Sequence, residues 1–257
     1  NSSDEKEREQ FYRVARIFSQ VSTFNHYTWY LKILYADYAG EQVDWNEYYE
    51  NMFHYVTDIF QLDDIVFTIA EKNHVNLGPQ FEKIPFDQWK LGIDAFFTNS
   101  DYKKILNRAQ FVTNTLSVYE EEMISEKLAV RRDYFYMKLA EATVIFGTDG
   151  RFDTFQENFR SFSDKCLAFY RQFYKDNAFE GEMELLTQPC RAAVRLRNLL
   201  QAYERGDRQE ISACLKAAVG VFPSFDPIIK MYTKLYVEME KEKLETETVS
   251  PEMRALG

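Results

Sequence analysis

Apolar residues recur along this chain at steps of three and four in nearly every segment, the spacing of one helix face. Phe152, Phe155, Phe159, Phe162, Cys166, Phe169 and Phe173 form the longest such series, and a helix of more than five turns keeps all of them on one stripe. Tyr102, Ile105, Ala109, Val112, Leu116, Tyr119 and Met123 repeat the steps. A strand, with its period of two, would scatter these side chains over both faces. Shorter stripes at Phe11, Val14, Phe18 and Val21, at Tyr49, Phe53, Val56 and Phe60, and at Ile228, Tyr232, Leu235 and Met239 predict further helices.

Short breaks separate these patterns: Ala39-Gly40-Glu41, Asn76-Leu77-Gly78-Pro79, Asp149-Gly150, Glu180-Gly181, Gly206-Asp207 and Phe222-Pro223-Ser224. Short connections make neighbouring helices pack antiparallel. No alternating segment bounded by hairpin turns reads as a strand. The expected fold is therefore all-α, built of stacked antiparallel helical hairpins. N-terminal hairpins are expected over 1–140 and a second set over 141–243, packed on the first. Residues 244–257 read as a linker or tail, because the apolar stripe fades after about Glu238 and Pro251 follows.

The segment Ala192 to Pro223 fits one tetratricopeptide repeat loosely. Gly206 turns the chain, Leu215 and Ala218 stand where the repeat places a bulky and a small residue, and Pro223 closes the second helix. Gly150 starts a coarser version of the same pattern, farther from Gly206 than one repeat of about 34 residues. The expectation is a degenerate TPR-like array.

The formal charge of −10 is spread over the whole sequence, so a phosphate backbone meets repulsion from most of the surface. This argues against nucleic acid as a partner. Hydrophobic residues at 46% exceed what a disordered chain carries. Every apolar run is broken by charge well before the roughly 20 residues of a membrane span. Cys166, Cys190 and Cys214 are odd in number and lie in apolar helical patterns, which suits buried thiols in a reducing, cytoplasmic setting.

The run Ala168-Phe169-Tyr170-Arg171-Gln172-Phe173-Tyr174, followed by Phe179, Pro189, Ala192, Ala193, Gly206-Asp207, Leu215 and Pro223, resembles a helical region found in many glycosyltransferases of gut Firmicutes. That region is tetratricopeptide-like and follows the catalytic domain. Ile84-Pro85-Phe86-Asp87-Gln88-Trp89, Arg132 to Lys138 and Pro251 to Leu256 are similar to it as well. The resemblance implies an accessory role in a bacterial sugar-transfer system. In that family the chemistry belongs to an α/β nucleotide-sugar domain, for which this chain lacks the strand–helix alternation. No catalytic residue carries over.

Among residue groups with chemical potential, Leu62-Asp63-Asp64-Ile65-Val66-Phe67 is the sharpest. An all-helical enzyme such as a class I terpene synthase holds magnesium and diphosphate with an Asp-Asp-x-x-Phe type motif. The accompanying set would be Asn114, Ser117 and Glu121, whose first gap is one residue short and which follows the aspartates too soon. The commoner reading is that Asp63 and Asp64 open a helix, where free N–H groups and the dipole favour acids.

His26, His54 and His74 lack the close helical spacing of metal ligands, and no metal or other cofactor is expected. Arg191 and Arg195 share a helix side and, with Arg197, Arg205 and Arg208, form a candidate anion cradle. A solvated face paired with glutamates is the commoner reading. Tyr27, Trp29, Tyr30 and Trp45, together with Tyr35, Tyr38, Tyr48 and Tyr49, form a candidate surface for a protein partner or a saccharide. Aromatic packing between helices is the alternative. The expected function is a non-catalytic, protein-binding accessory module. The alternatives are an all-α enzyme using Asp63 and Asp64, and a carbohydrate-binding module presenting Trp29 and Trp45 on one open face.

Overall fold

The computed structural model describes residues 2–21, 25–56, 58–117, 125–174, 188–218 and 225–248. Among them every regular element is helical: α1 Ser2–Val21, α2 His26–Ala39, α3 Trp45–His54, α4 Asp64–Lys72, α5 Gly78–Lys83, α6 Phe86–Asn99, α7 Tyr102–Ser117, α8 Glu126–Phe146, α9 Phe152–Tyr174, α10 Gln188–Glu204, α11 Arg208–Ala218 and α12 Asp226–Thr248. One 3-10 turn, Ile59–Gln61, stands between α3 and α4. No helix of the described residues is long and apolar enough to cross a membrane. The chain divides into two compact units, Asn1–Arg132 and Asp133–Gly257, and the division falls inside α8.

In the first unit α2 packs against α1, α3 and α4, α4 against α7, and α6 against the 3-10 turn. Its core centres on Trp89, 1% exposed, whose ring meets Phe60 and Phe81 at 5.3 Å each. The indole Nε1 donates to the Arg131 carbonyl at 3.3 Å, so the buried polar atom is satisfied. Tyr49 is fully buried and donates its hydroxyl to the Val66 carbonyl, joining α3 to α4.

In the second unit α9 packs on α10 and α12, and α11 packs on α10 and α12. Phe152, Phe155, Phe159, Phe162, Cys166 and Phe169 of the long stripe are all buried, and Phe173 at its end is 42% exposed. Tyr232 of α12 enters this stripe, with its ring 5.5 Å from Phe152 and Phe159 and 5.8 Å from Phe155. The α7 stripe is buried likewise at Ile105, Ala109, Val112 and Leu116, while Tyr119 and Met123 lie outside the described residues.

Helix ends follow local backbone chemistry. Gly40, at φ 65°, ends α2 with Glu41 N donating to Ala36 O at 2.9 Å. Gly206, at φ 68°, ends α10 with Asp207 N donating to Ala202 O at 3.2 Å. Helix α4 ends in the same way at His74, φ 54°, with Val75 N on Ala70 O at 2.9 Å. Gly206 and Ala218, which is buried, bound the α10–α11 pair; Pro223 lies outside the described residues.

Two helical stripes behave differently from their sequence patterns. Tyr49, Phe53, Val56 and Phe60 are all buried, yet α3 stops at His54 and the last two belong to the loop and the 3-10 turn. Asp58 caps the new turn, its carboxylate accepting from Phe60 N at 2.9 Å. Phe11, Val14 and Phe18 are on a helix, but at 48%, 44% and 60% exposure they face outward. The inner side of α1 carries Ala15, 1% exposed, and Tyr12, stacked on Tyr38 at 3.9 Å.

Candidate functional site

The aspartate pair opens α4, with Asp63 at the N-cap and Asp64 as the first helical residue. Neither carboxylate is uncommitted. Asp64 Oδ1 accepts from Arg108 Nε of α7 at 2.7 Å, and Asp63 Oδ2 accepts from the Tyr30 hydroxyl of α2 at 2.8 Å. Burial, followed by the Asp63 hydrogen bond, pushes the Tyr30 phenol well above its ordinary value.

Arg108 is 2% exposed and is the hub of this region. Besides Asp64 it donates to the Ile59 carbonyl at 3.1 Å and to the Leu62 carbonyl. Its Cζ stands 4.8 Å from the Phe67 ring centroid and 5.5 Å from that of Phe96. A guanidinium therefore already neutralises the Asp64 carboxylate through Oδ1. Asn114 donates to Glu71 at 2.8 Å and lines a different cleft; the Ser117 side chain and Glu121 lie outside the described residues. Among the described residues no three His, Cys, Asp or Glu side chains gather as a metal site.

The aromatic candidates separate into core and surface. Trp29 is 9% exposed, its ring packed on Tyr48 at 5.5 Å and covered by Lys32 Nζ at 4.2 Å. Trp45 is half-buried and meets the same Tyr48 at 6.3 Å. Two open indoles on one face, the expectation for a saccharide platform, are thus not what Trp29 and Trp45 present. Tyr27, 67% exposed, and Tyr30 line a small cleft with His26, Tyr55 and Asp63.

The arginine set is likewise dispersed. Arg195 donates to the Ala217 carbonyl, which ties α10 to the end of α11. Arg205 pairs with Glu210 and Arg208 with Glu240, each at 2.6 Å. Arg191 is half-buried on α10. Of the cysteines, Cys166 is fully buried and free, with burial raising its thiol pKa well above the ordinary value. Cys214 is half-buried and free, and the Cys190 side chain lies outside the described residues.

The stripe that predicted α1 lies on that helix and faces outward. Phe11, Val14, Ile17 and Phe18 leave four large apolar side chains at least 44% exposed on one side of one helix. Scattered exposed apolar residues need no explanation, whereas these four share one side of one helix. No family model matches the chain, and no curated protein or solved structure matches it either.

Proposed function

We propose that the chain is a non-catalytic, TPR-like helical module that binds protein, an accessory of a cytoplasmic bacterial glycosyltransferase. The observation that carries the protein-binding reading is the outward stripe of Phe11, Val14, Ile17 and Phe18 on α1. Such a face docks into an apolar groove of a partner with anchors at i, i+3 and i+7, the spacing of Phe11, Val14 and Phe18. Commitment of Asp64 to Arg108 and of Asp63 to Tyr30 favours a structural role for the acidic pair over magnesium chemistry. The choice of a sugar-transfer partner rests on the resemblance of the segment from Ala168 to Pro223.

The test is a titration of the full chain against the catalytic domain of a nucleotide-sugar transferase from the same genome, followed by calorimetry. Saturable binding that Phe11→Ser with Phe18→Ser abolishes is the expected result. A complex unaffected by the double variant refutes the α1 contact, and no complex with any such domain refutes the accessory role.

A further inference from the structure

Helices α4 and α7 and the loop after α4 enclose a cleft of about 480 Å³ within the first unit. That volume falls among those of small-molecule sites, about 300–1,000 Å³. Its floor is apolar. Phe67 and Leu77 are 2% exposed, and the rings of Phe67 and Phe111 lie 6.1 Å apart at 23°, close to parallel. The rim is polar and carries one acid. Glu71 Oε1 accepts from Asn114 Nδ2 at 2.8 Å, which holds the carboxylate at the edge of the aromatic floor. No lysine or arginine among the described residues pairs with Glu71 within ion-pair distance. His74 closes the rim from the loop side.

A carboxylate beside an aromatic side chain, with no lysine or arginine of the described residues in ion-pair distance, selects charge by sign. The negative π-face and the carboxylate both attract a cation and repel an anion, and the chain's net charge of −10 adds to the same bias. The half-buried Phe111 ring above the apolar floor selects shape, because it offers burial to a ring and little to a short aliphatic chain.

We propose that this cleft is a binding site for a small aromatic amine, its ring on the half-buried Phe111 and its ammonium on Glu71. The site is independent of the α1 stripe and of any transferase partner.

Calorimetric titration of the full chain with phenethylamine tests it, with phenylacetate and propylamine as probes that each lack one feature. Phenethylamine binds with a Kd in the range of about 0.1–1 mM, as expected of a ligand this small. Both control probes bind at least about tenfold more weakly, and Glu71→Gln weakens phenethylamine by about tenfold. Glu71 is on the exposed rim, so this variant retains the fold, which an unchanged melting temperature verifies. Absence of saturable phenethylamine binding overturns the proposal. So does equal affinity for phenylacetate or for propylamine, or undiminished affinity in folded Glu71→Gln.

Discussion

Arg108 Nε lies 2.7 Å from Asp64 Oδ1, and this one contact fastens the first turn of α4 to the middle of α7. The same guanidinium holds the Ile59 and Leu62 carbonyls, so a planar fork satisfies three acceptors that a point charge cannot reach together. The Asp64 side chain is 40% exposed, which leaves the carbonyls as the groups that suffer most when the fork is lost. Arg108→Lys is expected to cost about 2–3 kcal/mol and Arg108→Ala somewhat more. Urea unfolding at neutral pH measures both; a loss under about 0.5 kcal/mol, the level of an ordinary surface change, would show that the fork is ornamental.

Gly92 on α6 is set by contact and not by backbone angle. A Cβ there would stand 2.5 Å from Asp58 Oδ1 and 3.3 Å from Phe60 Cδ2. Asp58 cannot simply rotate away, because the same oxygen caps the 3-10 turn at Phe60 N, 2.9 Å distant. Gly92→Ala should therefore cost about 1–2 kcal/mol, the scale of a lost cap, despite the better helix propensity of alanine. In an Asp58→Ala background the same substitution becomes nearly neutral. A double-mutant cycle by chemical denaturation reads this coupling, and simple additivity would refute the contact.

Which parts of this structure were legible follows from what periodicity measures. The α7 and α9 stripes were readable because one-sided apolar series fix both element and face. The α1 stripe gave the helix but not its inner face: amphipathy shows that a helix has an apolar side, and it is Ala15 with Tyr12, not Phe11 and Phe18, that meets α2. Arg108 did leave a trace. It stands three residues after Ile105 and four before Val112, on the buried side of α7, where an arginine signals a partner in the fold. The cleft left none, since Glu71 and Asn114 come from separate helices and converge only through packing.

The break after α4 is read at Asn76-Leu77-Gly78-Pro79, a few residues beyond the helix end, because the left-handed residue there is His74 and not glycine. Gly40 and Gly206 occupy the corresponding places after α2 and α10 at no steric cost. A side chain at φ 54° costs about 1 kcal/mol. His74→Gly is accordingly expected to stabilise the chain by about 0.5–1 kcal/mol, and His74→Ala to give no comparable gain. Thermal and urea unfolding of the two variants decide it; destabilisation by glycine would show that the imidazole makes a contact worth more than the strain.

Substitution on α1 separates surface from core directly. Phe11→Gln with Phe18→Gln should change unfolding free energy by no more than about 0.5 kcal/mol per site, because both rings are about half exposed or more. A buried phenylalanine at either position would cost about 3–5 kcal/mol on truncation. Ala15→Leu, only three or four positions away, should instead destabilise by about 1–3 kcal/mol through overpacking against α2. A reversal of this order would place the apolar stripe inside.

Alkaline pH supplies a test of the buried phenols. Burial is the leading cause that raises the pKa values of Tyr49 and Tyr232 above the ordinary phenol value of 10.0. In the unfolded chain both lose their protons near pH 10, while in the folded chain both keep them. The folded state thus binds more protons above that pH, and stability falls as pH rises through the unfolded value. Below it the contribution is fully present. The urea midpoint should be flat from pH 7 to 9 and drop beyond about pH 10. Tyr49→Phe should start from a lower midpoint at pH 7, having lost the hydrogen bond to Val66, and then fall less steeply. Identical slopes for the variant and the parent chain would mean that the Tyr49 hydroxyl titrates as freely in the folded protein as in the unfolded one.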